Sequence, residues 1–228
     1  MGTSPVIARQ SARTRTLRYP WPHAKAAGAE ARVCEALAGG AVMTYPTETA
    51  YALGGNALLP RVAEAVYRLK GRPRDKPLLL LIDGRRGLEG WARDVRPAAR
   101  ALMARFWPGP LTLVLRAGAA LPPHLADARG TVALRWSPHP LIAELLRLGG
   151  VPLIGTSANV SGAPDSATVP EVLASFPAGI ALALDGGPAP RGLVSTVVDT
   201  TVTPYRVLRE GAIAAADIRS TLAVVQRA

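Results

Sequence analysis

Short apolar runs alternate with amphipathic stretches along this chain, and Gly or Pro punctuates nearly every change. That alternation restricts the fold more than any other feature. Ala29 to Ala38 has a helical pattern closed by Gly39-Gly40, and Ala41 to Tyr45 reads as a strand. Val62, Val66 and Leu69 mark a helical face that stops at Gly71, a natural C-cap. Leu78 to Ile82 is a continuous apolar run of the kind found in buried strands. Helices are expected over 97–106, 140–148, 170–176 and 217–226. Strands are expected over 111–115, 131–136, 151–154, 180–184, 194–198 and 205–208. Strand–helix alternation implies an α/β layer fold. Two strand pairs lack an intervening helix, 111–115 with 131–136 and 194–198 with 205–208, so the sheet should be mixed.

Composition sets the remaining limits. The chain has 228 residues and is 49% hydrophobic, enough for one sizeable core. No apolar run is long enough and clean enough to span a membrane, and no apolar segment follows the basic start as in a secretory leader. One cysteine, Cys34, excludes an internal disulfide framework, fits a reducing cytoplasm and reads as a packing residue. Residues 1–25 lack periodicity and contain the helix-breaking "YPWPH". They read as a flexible basic extension or an arm lying on the surface, ahead of one domain over 26–228. Five basic residues precede the first acid, Glu30, and the whole chain carries a net charge of +11. Such a balance suits anionic partners such as nucleotides or RNA, although an Arg-rich composition also serves solubility.

The chemistry starts from absences. Neither GxxxxGK[ST] nor GxGxxG occurs. His23, His124 and His139 are scattered, each beside a proline, which argues against a catalytic triad or a zinc site. What does occur is a set of hydroxyls and cations at strand ends. "TYPTETAYALGGNAL" follows a strand with three threonines and Glu48, and reads as a polar loop. "YRLKGRPRDKPL" puts Lys70, Arg72, Arg74 and Lys76 on a proline-stiffened connection, suited to polyphosphate or simply a solvated basic loop. "LIGTSANVSG" ends a strand in Ser157 and Asn159, able to meet sugar or phosphate oxygens, or only to cap a turn. Thr112 opens one strand, Arg135 ends another, Ser195 and Thr196 enter a third, and Arg209 ends a fourth. Together they describe an anion-binding cleft that also handles a small polar molecule.

Seven stretches, "YPTETAYALGGNA", "KGRPRDKPL", "WPGPLTLVL", "VALRWSPHP", "TSANVSG", "STVVD" and "VLREGAI", resemble in order the motifs of the YrdC-like family. That family includes threonylcarbamoyl-AMP synthases, and the resemblance runs from about Ala26 to Ile218. It implies a twisted open mixed sheet with flanking helices and a deep basic concave cleft. It implies a nucleotidyltransferase that joins L-threonine, bicarbonate and ATP into L-threonylcarbamoyladenylate and releases pyrophosphate, with Mg2+ accompanying the ATP. A downstream tRNA threonylcarbamoyl transferase would then carry the group to adenosine 37 of ANN-decoding tRNAs, in the cytoplasm. By position, the resemblance implies threonine or carbamate contacts at Thr47, Thr112, Arg135 and Ser195. It implies ATP contacts at Lys70, Arg72, Ser157, Asn159 and Arg209, no covalent nucleophile, and a supporting role for Glu48. An alternative reading is a tRNA- or double-stranded-RNA-binding module of ribosome maturation with little catalysis. Three departures stand out. Leu81 lies where some members carry histidine, Ala52 replaces the glycine of YGLG, and "DSAT" at Asp165–Thr168 replaces Ser-Pro-Thr.

Overall fold

A computed structural model describes residues 14–22, 26–84, 88–190 and 194–225. The strands are β1 (Arg15–Arg18), β2 (Met43–Pro46), β3 (Tyr51–Asn56), β4 (Leu79–Leu81), β5 (Ala92–Arg93), β6 (Leu111–Ala117), β7 (Thr131–Arg135), β8 (Leu153–Ser157), β9 (Leu182–Asp185), β10 (Thr196–Asp199) and β11 (Arg206–Arg209). The helices are α1 (Ala26–Ala38), α2 (Pro60–Lys70), α3 (Leu88–Trp91), α4 (Pro97–Phe106), α5 (Pro140–Gly149), α6 (Val169–Ser175) and α7 (Ala215–Val225). All the strands join one mixed sheet in the order β1-β9-β2-β3-β8-β4-β7-β6-β10-β11, with β5 against β6. β6–β7 and β10–β11 pair antiparallel, as their short connections require, while β6–β10 and β4–β7 pair parallel.

Side-chain alternation divides the strands between two faces. On one face Leu53, Leu80, Leu111, Leu113, Leu134, Ile154 and Val198 form a core with residues of α2, α4, α6 and α7. On the other, Met43, Tyr45, Leu81, Leu153, Leu182 and Leu184 pack under α1 and α5. Each such leucine contributes about 1.5–3 kcal/mol by leaving water. The second layer covers only the β9–β2–β3–β8–β4 side. The same face of β6, β7 and β10 carries Thr112, Val114, Ala133 and Val197 into an open concavity.

Two local choices position that concavity. α2 opens with Pro60 and ends in left-handed Gly71, where Gly71 N–H reaches Arg68 O and Arg72 N–H reaches Tyr67 O. This closure turns the cationic loop onto the open face. Gly54 accounts for the first glycine of the Gly-Gly pair: a Cβ there would lie 1.6 Å from the Ile154 carbonyl oxygen. Only a bare backbone lets β3 approach β8 so closely.

Two sequence expectations change. The stretch 51–56 is a fully buried strand rather than a loop, and Ala52 lies within it. The extension is not separate throughout: Arg15–Arg18 forms an edge strand parallel to β9, and Leu17, Tyr19 and Trp21 pack against the α1/α5 layer. Its lack of alternation follows from its edge position, where neither face is deeply buried. The rest of the extension, residues 1–13 and 23–25 with His23, lies outside the described residues, as does Gln226, the last residue of the expected final helix. Among the described residues no helix is long and apolar enough to cross a membrane.

Candidate functional site

A cavity of about 660 Å³ occupies the bare half of the face. Seven of the nine expected residues line it: Thr47, Arg72, Thr112, Arg135, Ser157, Ser195 and Arg209. They come from the β2–β3 turn, the α2–β4 loop, β6, β7, β8, the entry to β10 and β11. Asp75, Lys76, Arg129 and Asp165 complete the charged lining.

The three arginines are held in different ways. Arg72 Nε donates to Lys76 O at 3.1 Å and Nη2 to Pro77 O at 3.0 Å, which pins its plane to the stiff loop. Arg209 Nε donates to Ser195 O and Nη2 to Ser195 Oγ, both at 3.0 Å, and the Ser195 and Thr112 hydroxyls meet at 2.9 Å. Arg135 is buried. Its Nη2 donates to the Glu48 carboxylate and, at 3.0 Å, to Thr49 Oγ1. Ser137 Oγ donates to the other Glu48 oxygen. Arg135 Nε has no hydrogen-bond partner among the described residues. A buried donor left unpaired is costly, and this Nε lies out of contact with solvent although Arg135 as a residue lines the cavity.

Thr47 reaches the lining, but its hydroxyl is engaged in its own turn. It donates to Ala50 O at 2.7 Å and accepts from the Thr49 and Ala50 N–H groups at 3.2 Å. Glu48 supports the site through Arg135 and Ser137 rather than through the turn itself.

Lys70 and Asn159, expected among the ATP contacts, stand behind the wall. Lys70 is 2% exposed, and its ammonium donates to Ser157 O, to Asn159 O at 2.7 Å and to Asn159 Oδ1 at 3.1 Å. The α2 cap directs Arg72 outward and leaves Lys70 on the buried side, so one cation faces the cavity and the other braces the "TSAN" loop. Burial, with the charge of Arg72, pushes the Lys70 ammonium down to about 8. Asn159 Oδ1 accepts from Ser157 Oγ at 2.6 Å, which links brace to lining.

Leu81, at the position of the missing histidine, is fully buried and fills the second core beneath Gly155. Ser166 donates to Ala158 O at 2.7 Å and is turned away from the cavity, whereas Asp165 lines it. Arg129 pairs with Asp199 at 3.0 Å and with Asp127 at 3.2 Å at the rim; no sequence pattern announces it. Asp165 was marked only by its departure from Ser-Pro-Thr. Among the described residues no group of three or more His, Cys, Asp or Glu could hold a metal ion. The donor set fits Mg2+ only as an ion that brings most of its oxygen ligands with it.

A half-covered mixed sheet whose bare face gathers guanidinium groups and paired hydroxyls defines an α/β domain with a cavity chemically suited to a compact, oxygen-rich anion. Comparison with known proteins specifies it further. Residues 35–211 match the Sua5/YciO/YrdC family model, described as "telomere recombination". Over 187 residues the chain is 36% identical to the threonylcarbamoyl-AMP synthase of Pyrococcus abyssi, covering 82% of this chain and 55% of that protein. Over 182 residues it is 38% identical to the Bacillus subtilis threonylcarbamoyl-AMP synthase, covering 79% and 53%. The crystal structure of P. abyssi Sua5 complexed with L-threonine superposes with a TM-score of 0.80 at 34% identity, covering 91% of this chain and 60% of that one. The chain belongs to the Sua5/YciO/YrdC family. It spans about half the length of these two synthases.

Proposed function

We propose that this chain is a threonylcarbamoyl-AMP synthase, a nucleotidyltransferase that makes L-threonylcarbamoyladenylate from L-threonine, bicarbonate and ATP. The observation that carries the reading is the convergence of Arg72, Arg135 and Arg209 with Thr112, Ser157 and Ser195 on one cavity wall. The names of the relatives and the threonine complex of Sua5 support the same reading. In the reaction, the threonine amine takes up bicarbonate with loss of water to give a carbamate. A carbamate oxygen then attacks the α-phosphorus, and pyrophosphate leaves with the electron pair of the broken P–O bond.

No protein nucleophile is needed. Arg135, which lines the cavity, faces the threonine carboxylate or carbamate. The Thr112–Ser195 pair positions the amino acid, and Arg72 and Arg209 take phosphate charge. Mg2+ carried by ATP would supply further charge neutralisation. Positioning and charge neutralisation supply most of the catalysis in transfers of this kind. The product would pass to a tRNA threonylcarbamoyl transferase in the cytoplasm, for adenosine 37 of ANN-decoding tRNAs.

Incubation with ATP, bicarbonate and each amino acid, followed by pyrophosphate assay, tests this reading. Release that depends on both threonine and bicarbonate is expected, and its absence would sink it. RNA binding is a second reading, favoured by the net charge of +11 and by a basic groove of Arg68, Arg72 and Arg74 beside α2. It requires an affinity for tRNA that falls steeply with salt.

A further inference from the structure

Asp165 is a carboxylate facing a cavity lined with guanidinium groups. Its charge acts on Lys70 and Arg209, yet among the described residues it makes no hydrogen bond or ion pair. The loop carrying it is fixed on both sides. Ser161 N–H reaches Lys70 O at 2.9 Å, Ser166 Oγ donates to Ala158 O, and Tyr51 N–H reaches Ser166 O at 3.1 Å. The loop is therefore held in place and the acceptor sites of the carboxylate are unused, while the neighbouring hydroxyls of Ser157, Thr112 and Ser195 are already paired.

The chemistry of the surroundings narrows what such an acceptor can hold. A phosphate oxygen would be repelled. A resident metal ion finds no group of three ligating side chains among the described residues, and the positive charges of Arg209 and Lys70 disfavour a cation held by Asp165 alone. A neutral donor remains. The two oxygens of one carboxylate match a pair of adjacent hydroxyls, the chemistry by which an acid binds a ribose diol in dinucleotide sites. We infer that Asp165 accepts hydrogen bonds from the ribose hydroxyls of the nucleotide and makes the cavity selective for ribonucleotides over 2′-deoxyribonucleotides. The phosphates then lie toward Arg72 and Arg209. This assignment rests on the nucleotide-binding reading above.

Calorimetric titration of the whole chain with ATP, 2′-deoxy-ATP and inosine triphosphate tests it, using the native protein, Asp165→Asn and Asp165→Ala. A hydrogen bond to a charged group implies that the native chain binds ATP about 10-fold or more tighter than 2′-deoxy-ATP. Asp165→Ala should bind the two alike, with Asp165→Asn between them. Equal binding of ATP and 2′-deoxy-ATP by the native chain overturns the assignment, as does a preference that survives in Asp165→Ala. If Asp165→Ala instead erases only a preference for ATP over inosine triphosphate, the acid reads the base, and the ribose assignment is wrong. If the native chain binds none of the three, the nucleotide reading falls and takes this one with it. Circular dichroism of both variants separates lost binding from lost folding.

Discussion

Arg209 clasps Ser195 twice, through the serine carbonyl and through its hydroxyl, each at 3.0 Å. Ser195 in turn meets Thr112 at 2.9 Å, so one guanidinium orders two hydroxyls on the cavity wall. Arg209→Ala should lower threonine-dependent pyrophosphate release by about 100-fold, the usual loss on removing a preorganised charge-stabilising donor. Arg209→Lys should rescue little, because a point charge cannot span both acceptors. Steady-state kinetics decide the matter, and full activity in the lysine variant would count against the clasp.

Glu48 compensates the buried charge of Arg135. Glu48→Ala removes that partner and leaves a 4%-exposed guanidinium with only the Thr49 hydroxyl. The carboxylate is itself 19% exposed, so water offsets part of the loss. The expected cost is about 2–3 kcal/mol, below the usual range for a fully buried pair. Chemical denaturation would measure it; a change under about 0.5 kcal/mol, the scale of ordinary surface substitutions, would mean that the pair contributes little.

Lys70 gives stability a pH dependence. Its folded pKa, pushed down to about 8 by burial and then by Arg72, lies below its ordinary 10.5. Between these values the unfolded chain holds a proton that the folded chain has released, so stability rises with pH across the window and is flat below it. Lys70→Met lacks this dependence. The stability of the native chain relative to Lys70→Met should grow from about pH 7 to about pH 10, read from urea midpoints. A flat difference would refute the assignment.

Gly54→Ala should cost more than about 3 kcal/mol, because the new methyl would lie 1.6 Å from a backbone oxygen that cannot swing away. Gly71→Ala meets no neighbouring atom and carries only the left-handed backbone penalty at φ 58, about 1 kcal/mol. Thermal melts of the two variants should rank in that order.

How much the sequence revealed depended on whether the cause was local. α2 and α5 were legible because Pro60, Gly71, Pro140 and Gly150 act on their own backbone. β3 was not: "YALGGN" lacks β-branched residues, and its glycines are explained only by tertiary contacts, Gly54 by the approach of Ile154 and Gly55 by its positive φ and the Ala41 carbonyl. In the site, the arginines and hydroxyls at strand ends announced themselves by residue type. The division of labour between Lys70 and Arg72 did not, since both are cations on one loop and only the α2 cap decides which faces the cavity. The Glu48–Arg135 pair joins residues 87 positions apart, a relationship that requires the sheet order.

The cavity draws its walls from Thr47 near one end of the domain to Arg209 near the other, on strands interleaved across the sheet. No contiguous stretch of chain contains half a site that could work alone. During synthesis, binding competence would arrive only when β11 has emerged and docked, after every other strand is in place. A ligand of this cavity would thus discriminate a finished molecule from an unfinished one, and its binding could serve as an assay of completed folding.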